Sequence, residues 1–254
     1  MSTTPFHVII PARFASSRLP GKVLADIAGK SMLQHVYERS KQSGATSVTI
    51  ATDDKEVERI AKSFGANVCM TRSDHTSGTT RLAEAAKNLG FKDDAIVVNV
   101  QGDEPFIPPE IISQVAEDLA SHKDADVATL CVPLTEPEEL FNPNNAKVVL
   151  DANGFALYFS RAPIAWERDN FASTPPKMLS GKHFRHLGIY AYRTGFIQKY
   201  SSWPTTELEN LEKLEQLRVL YYGGKIHVAI ALAVSPISVD HPEDLEKARK
   251  MAQH

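Results

Sequence analysis

The residues best suited to chemistry are a group of cations near the start of the chain and two acids far downstream of them. Between Pro11 and Lys30 the sequence PARFASSRLPGKVLADIAGK carries Arg13, Arg18, Lys22 and Lys30, with no acid before Asp26. It follows Val8-Ile9-Ile10, a β-branched run that reads as a buried strand, and leads into Ser31-Met32-Leu33-Gln34, a capping-box start to a helix. A loop leaving a strand of an α/β sheet faces the ligand crevice, so cations gathered there would suit a polyphosphate. The plain alternative is a solvated loop whose charges only keep the protein soluble. Two familiar phosphate motifs do not apply. The dinucleotide fingerprint G-x-G-x-x-G fails because the stretch holds only Gly21 and Gly29, and the P-loop fails because Leu24 stands where Gly29-Lys30-Ser31 requires an earlier glycine.

The acids come from Gln101-Gly102-Asp103-Glu104-Pro105, at the end of the apolar run Ile96 to Val100, and from Asp240, after Ile237-Ser238-Val239. A carboxylate at the end of a central strand projects toward the same crevice as the cationic loop. Beside a polyphosphate it suggests magnesium, which takes one or two carboxylates and completes its shell with phosphate oxygens and water. Asp103 could instead cap the turn before Pro105, and Asp240 could cap the helix that Pro242 opens.

Alternating strands and helices must position these groups. A helix from Ser31 carries Met32, Leu33, Val36 and Tyr37 on one face and stops at Gly44; Val48 to Ala51 is a strand. Asp53 with Glu56 repeats the capping pattern for a helix lined by Val57, Ile60, Ala61 and Phe64. Strands over 67–70, 95–100 and 127–132 alternate with helices over 79–89 and 109–120. This rhythm predicts an α/β fold with a mostly parallel sheet and right-handed crossovers. From 133 to 192 it breaks into short strands (147–150, 155–159, 187–192) between polar, proline-bearing segments, which reads as a subdomain over the crevice with 173–182 as its most mobile loop. The leucine pattern from Glu207 to Tyr222 predicts one long helix ended by Gly223-Gly224, and Ile226 to Leu232 a last strand.

Composition sets the outer bounds. A chain of 254 residues, 43% hydrophobic and 23% charged, can bury a full core, and its net charge of −3 gives no general attraction to nucleic acid or membrane. Cys69 and Cys131 lie far apart in apolar runs without metal-ligand spacing, as buried thiols of a reducing compartment do. No charged leader precedes the first apolar run, and no stretch reaches the roughly 20 apolar residues of a membrane span, so a cytoplasmic protein is expected.

PARFASSRLPGK, CMTRSDHTSGTTRLAE, VNVQGDEP, FNPNNAKVVLD, ALYFSRAPI, FRHLGIYAYR, LEKLEQLRVLYYG and VDHPEDLEK, in this order and at these separations, resemble the 3-deoxy-manno-octulosonate cytidylyltransferases, the CMP-Kdo synthetases. The resemblance runs from Ile9 to about Arg249 and is weakest over 171–183. It implies a Rossmann-like nucleotidyltransferase sheet with helices on both faces and a small antiparallel sugar-binding and dimerisation subdomain. In those terms 1–132 is the nucleotide-binding core, 133–205 the inserted subdomain and 206–254 the return to the core.

By the same resemblance Arg13, Arg18 and Lys22 hold the CTP triphosphate. Ser77-Gly78, Arg81 and Gln101 enclose the nucleotide, Asp103 and Asp240 bind magnesium, and Arg161, Arg168, His186, Tyr190, Glu215 and Gln216 line the sugar-acid pocket. Arg13, Lys22, Asp103 and Asp240 would carry the catalysis, in a homodimer of lipopolysaccharide-making bacteria. Glu215 and Gln216 are adjacent on the expected long helix, so only one of them should point squarely into the pocket. His186 as a satisfied core histidine and Tyr190 as core packing remain the bland alternatives. The rival functions are the same transfer onto 8-amino-Kdo or a sialic acid, and a non-catalytic nucleotide-binding protein of the same fold. The latter should have lost a carboxylate or a loop cation, yet Lys22, Asp103 and Asp240 are all present.

Overall fold

Strand β1 (Phe6–Pro11) shows why the molecule has two apolar layers. Successive side chains of a strand point to opposite faces, so Phe6, Val8 and Ile10 enter one buried cluster and Ile9 the other. The computed structural model describes residues 4–14, 19–75, 77–171 and 176–253. After β1 come a single 3-10 turn (Lys22–Leu24), the short antiparallel pair β2 (Asp26–Ile27) and β3 (Lys30–Ser31), α1 (Met32–Gln42), β4 (Ser47–Thr52), α2 (Lys55–Ser63) and β5 (Asn67–Met70). Next follow α3 (Gly78–Asn88), β6 (Ile96–Asn99), α4 (Pro109–Ser121), β7 (Val127–Leu134), α5 (Pro137–Phe141), β8 (Lys147–Leu150) and β9 (Ala156–Ser160). The chain closes with β10 (His183–Arg193), α6 (Thr194–Ser202), α7 (Glu207–Glu212), α8 (Gln216–Tyr221), β11 (Ile226–Ile230) and α9 (Pro242–Met251).

The main sheet runs β11-β7-β10-β6-β1-β4-β5, and all its pairs are parallel except those of β10. Residues of α1, α2 and α4 pack on one face and of α3, α6 and α8 on the other, so helices cover both sides. The antiparallel extension is β8 and β9, joined to the sheet through Phe184 and Arg185 of β10. Residues 183–193, grouped by the sequence with the inserted part, therefore belong to the central sheet: β10 lies between β6 and β7.

Two local readings change. The cap of α2 is Asp54, whose carboxylate accepts from the amides of Glu56 and Val57, while Asp53 faces Arg81 instead. The long helix over 207–222 is two helices, because Lys213 takes a left-handed conformation (φ 53°). Tertiary bonds displace the helical ones there. Arg161 Nε donates to the Glu212 carbonyl (2.6 Å), the acceptor a continuous helix would offer to residue 216, and the Glu212 carboxylate is held by Ser160 Oγ (2.6 Å) and the Arg161 amide (2.9 Å). Among the described residues no helix is long and apolar enough to cross a membrane, and both cysteines are buried and free.

Candidate functional site

Two adjoining cavities lie at the ends of β1 and β6. The first, of about 710 Å³, is lined by Arg13, Lys22, Gly78, Arg81, Gln101, Asp103 and Asp240 among others. The second, of about 370 Å³, is lined by Asn99, Glu104, His186, Tyr190, Tyr192, Glu215 and Gln216 among others. Gly78, Gln101 and Asp103 belong to both walls, so the cavities meet there.

In the first cavity the sequence brings charges together from three places. Gly21, at φ 68°, turns the chain into the 3-10 turn that presents Lys22. The Val239 amide donates to the Asp103 carbonyl (2.9 Å), which lays the segment bearing Asp240 beside the end of the QGDEP loop. The Lys22 ammonium then donates to Asp103 Oδ2 (2.8 Å), Asp240 Oδ1 (3.0 Å) and the Val239 carbonyl (3.2 Å). Burial opposes its charge, but Asp103 and then Asp240 hold its pKa above the ordinary lysine value. Asp240 is not a helix cap: α9 is capped at His241, with Asp244 accepting from the Asp240 and His241 amides. Gly102 packs so closely on β1 that a Cβ would lie 3.1 Å from the Pro11 carbonyl, which keeps the loop against the strand.

The N-terminus of α3, capped by Ser77 Oγ accepting from the Thr80 amide (3.3 Å), opens on both cavities through Gly78, and such an end favours an anion. Arg81 is buried and braced by Thr71 Oγ1 (2.6 Å) and Asp53 (3.1 Å), so its position in the wall is fixed; Arg13 is exposed. Arg18 lies outside the described residues.

The second cavity is polar and mixes the acids Asp103, Glu104 and Glu215 and the cation Lys213 with neutral donors and acceptors. Thr79 Oγ1 donates to Glu215 Oε2 (2.8 Å), tying the start of α3 to the break between α7 and α8. Because the helix is broken, Glu215 and Gln216 both line the cavity, against the expectation that only one would. His186 packs edge-on against Phe159 and its Nε2 lies 2.9 Å from Thr129 Oγ1; burial lowers its pKa to about 3, so the ring is neutral. Burial, reinforced by Glu215, holds the Tyr190 hydroxyl far above its usual pKa. The Asn99 Oδ1 and Gln216 Nε2 atoms are buried without a hydrogen-bond partner, the condition of groups that await a ligand.

Arg161 and Arg168 line neither cavity. Arg161 is spent on backbone carbonyls of Pro143 (2.9 Å), Glu212 (2.6 Å) and Lys213 (3.5 Å), and Arg168 is exposed. The loop read as mobile is tied down where it is described: the Glu167 carboxylate accepts from the amides of Ser180 and Gly181, from Ser180 Oγ and from His183. Residues 173–175 lie outside the described part. Asn99, Thr79, Glu104 and Tyr192 were missed in the sequence; only Asn99, a polar residue inside an apolar strand, carried a signal. A separate group, Asp118, His122 and His227, has carboxylate and ring nitrogens close together. The two imidazoles stack 3.5 Å apart at 16°, so their lone pairs run nearly parallel and do not converge on one ion.

A family model described as "Cytidylyltransferase" matches residues 7–226. A 3-deoxy-manno-octulosonate cytidylyltransferase of Coxiella burnetii is 58% identical over 244 residues, covering 96% of this chain and 98% of that protein. One from Pectobacterium carotovorum is 61% identical over 245 residues, covering 96% and 97%. Among solved structures, CMP:2-keto-3-deoxy-manno-octonic acid synthetase complexed with CTP superposes with a TM-score of 0.89 at 42% identity, over 98% of this chain and 99% of that one. A cytidylyltransferase of Leptospira borgpetersenii shares the fold at a TM-score of 0.61 and 18% identity.

Proposed function

The chain belongs to the cytidylyltransferase family, and from that membership we propose how its joined cavities work as a 3-deoxy-manno-octulosonate cytidylyltransferase. The enzyme transfers CMP from CTP to the anomeric hydroxyl of Kdo and releases pyrophosphate. The observation that supports the division of labour is the shared wall of Gly78, Gln101 and Asp103, which would bring a nucleotide held in the first cavity within reach of an acceptor held in the second. The new bond forms between the sugar oxygen and the α-phosphorus as the bond to the β-phosphate oxygen breaks, and positioning with charge neutralisation supplies most of the rate. Arg13, Lys22 and the α3 N-terminus balance the triphosphate and then the departing pyrophosphate.

The donor set fits magnesium. An ammonium already stands between two carboxylates and a carbonyl oxygen, the oxygen donors that a hard divalent cation takes. Asp103 and Asp240 would hold the ion, which when bound neutralises phosphate charge and makes the attacking hydroxyl more acidic. Lys22 must then leave the carboxylates, and the triphosphate offers it a stronger partner. In the second cavity Tyr190, Glu215 and Gln216 read hydroxyls, and neutral His186 shapes the wall without repelling donors.

The same reading makes the protein cytoplasmic, where CTP is available and the buried thiols Cys69 and Cys131 stay reduced, and homodimeric. Leu157, Leu211 and Tyr221 are 62%, 72% and 60% exposed on β9, α7 and α8 and offer an apolar surface for a second copy, which light scattering on the purified protein would detect. Pyrophosphate release from CTP and magnesium, compared with Kdo, its 8-amino analogue and a sialic acid, tests the acceptor. Faster turnover of either alternative would reassign it.

A further inference from the structure

The sheet is interrupted where the acceptor cavity meets β10. His186 and Leu187 pair with Cys131 and Leu130, but the next register pair is Tyr190 with Thr129, which leaves Gly188 and Ile189 bulged out. Buried Thr129 holds this distortion: its hydroxyl donates to the Ile189 carbonyl (2.7 Å) and faces His186 Nε2 (2.9 Å). A third cavity, of about 460 Å³, opens at the bulge and shares Glu104, His186, Gly188 and Ser238 with the acceptor cavity. Two of its other walls, Ile111 and Ile189, belong to the core on the opposite face of the sheet from Tyr192. A Cβ at Gly188 would meet no atom within 4 Å, so the residue borders an open passage.

One polar group of this cavity is unused by the fold: Arg185 Nε is buried with no hydrogen-bond partner. A buried donor of this kind is normally paired, so its pairing points to a ligand. A guanidinium only donates and the Glu104 side chain in the same wall can accept, whereas a hydroxyl does both, so the two complement a diol.

We propose that the cavity lined by Arg185 and Glu104 extends the acceptor site and takes the exocyclic hydroxyl-bearing carbons of the sugar acid through the passage at Gly188. This rests on the reading of the acceptor as Kdo. In that sugar the carboxylate and the attacking hydroxyl share one carbon, which must lie by Asp103 and the α-phosphorus. The exocyclic carbons branch from the ring carbon on the other flank of the ring oxygen, and as the sugar's one open chain they are the part slim enough to enter a passage.

The test measures kcat/KM at saturating CTP with Kdo and its 8-deoxy analogue, for wild type, Arg185→Met and Gly188→Val, with melting curves as folding controls. Wild type should lose about 10-fold with the 8-deoxy sugar, and Arg185→Met about 10-fold with Kdo but little more with the analogue, since one hydrogen bond is removed either way. Gly188→Val, whose Cβ has open space, narrows the passage and should raise the KM for Kdo and leave that for CTP unchanged. It carries the test alone if Arg185→Met does not fold. Penalties that multiply independently, or a wild-type KM for Kdo in Gly188→Val, would overturn the assignment. Failure of wild type to release pyrophosphate with Kdo would instead remove the acceptor reading beneath it.

Discussion

In the nucleotide cavity an ammonium is set against two carboxylates in contact with solvent, while in the acceptor cavity acids share the wall with neutral side chains that keep buried polar atoms. Lys22, Asp103 and Asp240 keep 14%, 23% and 37% of their side-chain surface exposed, so the ammonium can exchange carboxylates for phosphates without crossing a dry interior. His186 is held neutral and Tyr190 far from ionising, and Asn99 and Gln216 each keep a buried polar atom without a partner. The difference follows the ligands. A triphosphate needs mobile counter-charge, whereas a polyol is recognised by fixed hydrogen bonds that water cannot contest.

The strongest test of this contrast is Asp103→Asn, which removes charge from the shared wall. Turnover should fall by about 100-fold or more while the melting temperature changes little, the scale of losing a charge-stabilising group in a transition state. Near-normal turnover in pure variant would end the metal assignment. Lys22→Met should tighten binding of manganese, measured by electron paramagnetic resonance without nucleotide, on the order of 10-fold, because the two carboxylates then lack their internal cation. The same variant should need more CTP. Unchanged manganese affinity would mean that the ammonium does not stand in the ion's place.

On the acceptor side, Arg161→Ala frees the carbonyls of Glu212 and Lys213 and lets α7 and α8 merge. The KM for Kdo should rise about 10-fold, as expected for losing about one hydrogen bond to the sugar when Glu215 and Gln216 shift, with that for CTP unchanged. A parallel rise in both would show general unfolding instead. The smallest effects are in pH dependence, where two histidines should act with opposite sign. His186 titrates near 3 when folded and near 6.5 unfolded, so the unfolded chain takes up its proton first and stability falls on acidification through that window. His227 is opposed by burial but held above its ordinary value by Asp118, so its contribution is full below about 6.5 and is lost as pH rises through the raised value. From pH 7.5 to 4.5, melting of His186→Gln should improve relative to wild type and that of His227→Gln should worsen. Equal slopes would refute the assigned environments.

Much of the scaffold was legible because its signals are local. Alternating apolar residues with capping serines and terminal glycines marked α1, β4, β5, α3 and α4 to within a residue or two, and the cationic loop and QGDEP were placed at the crevice by following strands. The misread pieces share one cause. The cap moved from Asp53 to Asp54 because Asp53 has a partner in Arg81, and the helix over 207–222 broke because Arg161 claims its carbonyl. Arg161 itself, expected in the sugar pocket, supports that break from outside.

The sequence by itself determined which segments are strands and helices and which residues carry charge, since spacing and side-chain chemistry act over a few residues. Only the tertiary structure decided that β10 enters the sheet antiparallel and bulges at Gly188. It also decided that the amide of Val239 brings Asp240 to Asp103 across more than a hundred residues, and that Arg185 Nε is left unpaired. Such outcomes depend on which distant donor and acceptor meet in the dry interior, and no local pattern encodes that meeting.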